Sequence, residues 1–153
     1  GSIKEKKIIS SIIDNKEKFN KLFKRLDYEC ELNKLFITSG FPLNLEESDL
    51  KNYVLKLNKF KKVRMYGSAV GSLLLVADRK IDIYYEKAIF SWDVAGALLN
   101  VLMNGGDYCA RSIDSKSCSL EVIASSKPEI ISYLIEFFGK ENKSWSRKVF
   151  FKD

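Results

Sequence analysis

Apolar positions change period several times along the chain, and each change marks an element. Ile8, Ile9, Ile12 and Ile13, then Phe19, Leu22, Phe23 and Leu26, recur at helical spacing with Lys and Glu between them. They predict a basic amphipathic helical extension over residues 1–33, split at Asp14-Asn15, with its apolar face packed on its own domain. Leu35-Phe36-Ile37-Thr38 predicts a short strand, and Ser39-Gly40-Phe41-Pro42 breaks it. Leu50, Tyr53, Val54 and Leu57 form one face of a helix capped by Ser48 or Asn44 and closed by the cationic Lys59–Lys62. A second strand, Val63–Tyr66, ends at Gly67-Ser68. Ala69–Ala77 is almost wholly apolar and predicts a buried helix with the small residues Ala69, Gly71 and Ser72 on its first turns.

The remainder continues the alternation. Ile81–Tyr85 predicts a strand, Ser91–Met103 a helix with Val94, Ala97, Leu98 and Val101 inward, and Asn104-Gly105-Gly106 its left-handed end. Tyr108–Ala110 and Leu120–Ala124 predict two further strands. Ser126 is expected to cap a last helix with Pro128 in its first turn and Ile130, Tyr133, Leu134 and Phe137 on its inner face. The polar tail predicts an edge strand or a flexible end. Strands alternating with helices give an α/β fold: a layered mixed sheet of about four or five strands flanked by helices, with a helical amino-terminal extension. The expected division is an extension over 1–33, a domain over 34–139 and a tail over 140–153.

Composition narrows the chemistry. The 153 residues are 46% hydrophobic and 30% charged, which suits one domain with a packed core. No apolar run approaches the roughly 18 residues a spanning helix needs, so no membrane is expected, and the charged start has no signal-peptide pattern. Gly1-Ser2 reads as an expression scar, and the natural chain is expected to begin earlier. The net charge of +6 is concentrated in Lys4–Lys34 and Lys51–Arg64. A basic surface suits nucleic acid, a phosphorylated metabolite or an acidic partner. No nucleic-acid motif accompanies it, so nucleic acid is not expected as a partner. Cys30, Cys109 and Cys118 follow no metal or disulfide spacing, which points to a reducing cytoplasm. The chain has no histidine, which excludes Ser-His-Asp, Cys-His and H-E-x-x-H chemistry. Catalysis would have to use carboxylates, Lys, Tyr, Cys, backbone amides or an oxygen-bound metal.

Three segments in order carry a family pattern: Thr38-Ser39-Gly40-Phe41-Pro42; Arg64-Met65-Tyr66-Gly67-Ser68-Ala69; and Ile81-Asp82-Ile83-Tyr84-Tyr85-Glu86 followed by Ser91-Trp92-Asp93-Val94-Ala95-Gly96-Ala97. Gly105-Gly106 and Val122-Ile123-Ala124-Ser125 follow. From Leu35 to Ile135 this set resembles the carboxy-terminal half of the inositol monophosphatase family of sugar phosphatases. The resemblance implies that Asp93 is catalytic and a magnesium ligand beside the substrate phosphate. Gly67, Ser68 and Ala69 would lie against the substrate ring, Glu86 would accept hydrogen bonds from inositol or sugar hydroxyls, and Arg64 would line the same pocket. Magnesium prefers hard oxygen ligands, and a carboxylate at a helix start is held rigidly. Each residue also has a purely structural reading. Asp93, Ser91 and Ser68 could be helix caps, Gly67 a turn glycine and Glu86 an exposed strand-end charge. Trp92 reads as core, and Asp82, Asp114 and Glu121 receive no role.

The family's other metal ligands come from a Glu-Glu segment and a D-P-x-D-G-T loop, and neither motif occurs here. Glu46-Glu47 and Asp49 follow the Gly-Phe-Pro turn, which is the wrong place. Three readings follow. The chain is the substrate-side half of a Mg-dependent phosphomonoesterase acting on a sugar or inositol phosphate, inactive alone. Alternatively, it is a degenerate non-catalytic module that binds a phosphorylated sugar or a protein partner. In a third reading it is an interaction unit in which Asp93 and Glu86 point away from Gly67. An exposed apolar face is expected for docking of an amino-terminal half or of a second copy as a homodimer.

Overall fold

A computed structural model describes residues 30–42, 45–114, 117–139 and 145–146. The predicted helices of residues 1–29, the candidate cap Asn44 and most of the tail lie outside these residues. Five strands, β1 (Phe36–Ser39), β2 (Lys62–Arg64), β3 (Ile83–Phe90), β4 (Asp107–Asp114) and β5 (Ser119–Ser125), form one sheet in the order β2-β1-β3-β5-β4. β1 runs parallel to β2 and β3, and β5 is antiparallel to β3 and β4. Helices α1 (Glu47–Leu57), α2 (Ala69–Ala77), α3 (Ser91–Met103) and α4 (Ile131–Phe138) cover the two faces. This is the layered mixed sheet that the alternation predicted.

Side chains alternate across the pleat and so divide the interior in two. On one face Ile37, Ile83, Tyr85 and Ile123 pack with Tyr53 and Leu57 of α1 and with Ile131, Leu134 and Phe138 of α4. On the other, Tyr84, Val122 and Ala124 pack with Leu73 and Val76 of α2 and with Val94, Leu98 and Val101 of α3. The chain crosses from β1 to β2 through α1 and returns from β2 to β3 through α2, on opposite faces. The carboxyl ends of β1 and β3 therefore open at a reversal of strand order, where open α/β sheets form ligand crevices.

Several boundaries differ from the sequence expectation. β3 begins two residues later than expected and continues to Phe90 through a register shift between Lys87 and Ile89, where Ala88 has φ +68°. β4 runs well past Ala110 because β5 pairs with it as far as Asp114. β2 is shorter, and Met65 and Tyr66 leave the sheet exposed. Ser48 lies inside α1, whose Glu46 cap makes no side-chain bond, and acidic Glu47 and Asp49 suit its positive end instead. Ser126 does not cap a helix. The neighbouring Ser125 Oγ accepts from Lys127 N at 3.0 Å, and a 3-10 turn over Pro128–Ile130 leads into α4.

Glu121 and Arg111, adjacent on β5 and β4, form a buried ion pair: Arg111 Nε donates to Glu121 Oε2 at 2.6 Å, and Tyr85 Oη donates to Oε1 at 2.6 Å. Asp82 is also structural, since it accepts from Phe36 N at 2.8 Å and pairs with Lys127 at 2.7 Å.

Two stability predictions follow from this packing. A Cβ on Gly106 would lie 2.5 Å from the Ser125 carbonyl oxygen and 2.7 Å from Val101 Cγ1. Gly106→Ala is therefore expected to lower unfolding free energy by about 1–3 kcal/mol in denaturant titration, and an unchanged midpoint would contradict this packing. Arg111→Met strands a buried carboxylate and should cost about 3–5 kcal/mol, most of which the Arg111→Met/Glu121→Leu double variant recovers.

Candidate functional site

Four segments of the chain meet at one cavity of about 460 Å³. Ser39 ends β1 and Gly40 and Phe41 follow it; Gly67, Ser68, Ala69, Val70 and Ser72 form the turn after β2 and the start of α2; Glu86 and Ile89 come from β3; Asp93 comes from α3. The cavity thus sits beyond the carboxyl ends of two parallel strands, beside the first residues of two helices. A smaller cavity of about 140 Å³, lined by Tyr53, Tyr85, Arg111 and Glu121 among others, lies on the other face of the sheet.

Local sequence explains each contribution. Gly67 has φ +68°, a conformation that disfavours larger residues and turns the chain from β2 into α2. Ser68 caps α2, with its Oγ accepting from Gly71 N at 3.1 Å. Thr38 Oγ1 donates to Ser72 Oγ at 3.0 Å and ties the end of β1 to α2. On the far side of the turn, Tyr53 Oη donates to Gly40 O at 2.7 Å, and Ser39 Oγ donates to Tyr85 O.

The two carboxylates differ in setting. Glu86 is half-buried, and its Oε2 accepts from Tyr84 Oη at 2.8 Å. Burial pushes its carboxyl above the ordinary value, the Tyr84 hydrogen bond opposes that rise, and the negative charge of Asp93 adds to it. Asp93 is exposed in the first turn of α3, where the helix dipole favours a negative charge. The cap position belongs to Phe90, so neither Asp93 nor Ser91 caps this helix. Burial also drives the Tyr84 phenol well above its usual range, which keeps it a hydrogen-bond donor.

Gly67, Ser68, Ala69, Glu86 and Asp93, the residues singled out in the sequence, all line this one cavity. Arg64 does not: it is exposed at the end of β2, with its Nη1 near the Val63 carbonyl. Trp92 is not core, being 66% exposed and stacked on Phe90 at 4.8 Å. Tyr84 carried no signal of function in the sequence, because an apolar strand position and a hydrogen-bonding one look alike. Ser39-Gly40-Phe41 had a usable signal, a glycine break at the end of a parallel strand.

Among the described residues no group of three or more His, Cys, Asp or Glu is placed to hold a metal ion. Magnesium takes about six oxygen ligands in near-octahedral order. The two carboxylates of this cavity fall short of that set, so the described residues do not build a magnesium site by themselves.

Comparison with known proteins agrees with this fold. Residues 14–138 match the inositol monophosphatase family. The match begins upstream of Leu35, in residues outside those described. A curated relative, "Putative Nus factor SuhB" of Neisseria meningitidis, is 25% identical over 119 residues, covering 75% of this chain and 45% of that protein. Among solved structures, Mycobacterium tuberculosis SuhB superposes with a TM-score of 0.60 at 27% identity, over 76% of this chain and 47% of its own. An inositol monophosphatase from Anabaena (Nostoc) gives 0.58 at 29% identity, over 70% and 45%. The chain therefore spans less than half the length of these relatives.

The electrostatics of Glu86 predict opposite responses from its two neighbours. Tyr84→Phe removes a bond that favours the charged form, so the Glu86 pKa should rise further. Asp93→Asn removes a repulsive charge, so it should fall. Carboxyl ¹³C titration, assigned with Glu86→Gln, reads both, and shifts of the same sign would contradict the arrangement.

Proposed function

Because the chain belongs to the inositol monophosphatase family, we propose that it forms the substrate-facing half of a Mg-dependent phosphomonoesterase acting on a sugar or inositol phosphate. The observation that carries this reading is the convergence of Gly67, Ser68, Ala69, Glu86 and Asp93 on one cavity at the carboxyl ends of parallel strands. Gly67 leaves room for a ring to approach the backbone. Glu86 accepts from a ring hydroxyl. The first residues of α2 present backbone N–H groups to an anion, as suits a phosphate. Asp93 supplies one metal oxygen beside that phosphate and is within reach of a hydroxyl on the same ligand. Arg64 at the end of β2 belongs to this reading only as a longer-range cation. Bound magnesium would neutralise phosphate charge and activate water.

Asp93 alone does not complete a magnesium site, so the chain by itself is expected to bind rather than turn over. In this reading the other ligands come from outside the described residues, from a metal-binding half or a second copy. Val70 and Leu74 on α2 and Leu99 and Met103 on α3 are exposed apolar side chains on two helices in contact, which suits such docking. No helix among the described residues is long and apolar enough to cross a membrane. The spacing of Cys30, Cys109 and Cys118 follows no disulfide pattern, which fits a cytoplasmic setting.

The test combines calorimetric binding of inositol monophosphate, with and without Mg²⁺, with phosphate release from a panel of sugar and inositol phosphates. The full chain should bind in a Mg-dependent manner and release no phosphate. Asp93→Asn should weaken binding about tenfold or more, the scale of one lost charge-assisted contact. Turnover abolished by Asp93→Asn would contradict the incompleteness of the site, and binding indifferent to Asp93→Asn would contradict its role.

A further inference from the structure

Glu86 is held from two sides by residues that the reading above does not use. Tyr84 lies two positions earlier on β3, so both side chains leave the same face of the strand. Its ring is fully buried in the core shared with Leu73, Val94 and Leu98, and its hydroxyl donates to Glu86 Oε2 at 2.8 Å. A buried phenol needs a partner, and the packed ring fixes where that partner must lie. From the opposite side, Gly40 faces the carboxylate. A Cβ on Gly40 would lie 2.5 Å from Glu86 Oε1 and 2.7 Å from Cδ. The described glycines with positive φ are Gly67 and Gly105, so the backbone at Gly40 does not itself call for glycine. What the missing Cβ provides is room for the carboxylate. The turn cannot easily retreat, because Tyr53 holds the Gly40 carbonyl at 2.7 Å.

We propose that Tyr84 and Gly40 are positioning residues that fix the direction in which Glu86 accepts and thereby make a ligand hydroxyl a condition of tight binding. The inference rests on reading the cavity as a site for a polyol phosphate. An ionised carboxylate offers about four acceptor sites. Tyr84 occupies one, the wall at Gly40 limits rotation of the group, and those left over meet the ligand already oriented. A preoriented acceptor loses less on binding than one that must be ordered by the ligand. A ligand without a hydroxyl leaves the remaining acceptor sites of this half-buried carboxylate without a donor, which is how such a site discriminates.

The test compares the affinities of the full chain for inositol monophosphate and for propyl phosphate, which carries a phosphate but no hydroxyl, in Mg²⁺ buffer. Four proteins are measured: the parent, Glu86→Gln, Tyr84→Phe and Gly40→Ala. The obstacle to a Cβ at Gly40 is the tip of a flexible side chain, so Gly40→Ala should displace the carboxylate and leave the fold intact; circular dichroism checks both positioning variants. The parent should prefer inositol monophosphate, and Glu86→Gln, whose uncharged amide oxygen is a weaker acceptor, should cut that preference by about tenfold or more. Tyr84→Phe and Gly40→Ala should each cut it by about threefold to tenfold, the range of one misplaced hydrogen bond, with propyl phosphate affinity unchanged. A general structural role would instead weaken both ligands together. If Glu86→Gln cuts the preference while both positioning variants keep it, the inference is overturned and the site reading stands. If the parent shows no preference, or Glu86→Gln retains it, the reading itself fails and takes the inference with it.

Discussion

The two-residue period of β3 is the constraint on which the rest of the structure depends. This strand is central, parallel to β1 on one side and antiparallel to β5 on the other. A shift of one residue would exchange its two faces. With the observed register, Tyr85 points to the α1/α4 face and joins the Glu121–Arg111 pair, while Tyr84 and Glu86 point to the α2/α3 face and the cavity. Two polar networks on opposite sides of one strand thus share a register. Tyr53 stands beside both, with its ring 5.6 Å from that of Tyr85 and its hydroxyl on the Gly40 carbonyl of the turn that forms one wall of the cavity.

The electrostatics of the cavity separate two carboxylates by environment. Glu86 is partly withdrawn from water and stays in place through a neutral donor. Asp93 remains exposed at a helix start, where a negative charge is favoured. Such a pair can divide its work between a hydroxyl and a cation bound with phosphate. A net charge of +6 is compatible with an anionic ligand and does not select one.

Much of the fold was legible because period and punctuation agreed. Ala69–Ala77 and Ser91–Met103 are helices over the expected residues, since apolar spacing marks both, Ser68 caps the first and Asn104-Gly105 ends the second. The lengths of β3 and β4 were not legible. Each is extended by pairing with β5 across an irregularity, and Ala88 takes a left-handed conformation that no residue type announces. Glu121 received no role from the sequence, because its partner stands ten residues away across a hairpin. Trp92 misled in the other direction, because a large aromatic in an apolar helix start suggests burial, whereas its position on α3 faces outward. The order of Gly67, Ser68, Ala69, Glu86 and Asp93 along the chain singled out residues that line one cavity, whereas Arg64 does not line it. The support behind them, Tyr84 and the bare Cα of Gly40, appears only when β1 and β3 are side by side.

The most direct test of the central claim is the mapping of backbone amide shifts as inositol monophosphate and Mg²⁺ are added to the full chain. The account predicts that shifts concentrate in residues 39–41, 67–72 and 86–93, the segments that meet at the larger cavity. Shifts confined to the opposite face, around Tyr85, Arg111 and Glu121, or no saturable shifts at all, would contradict it.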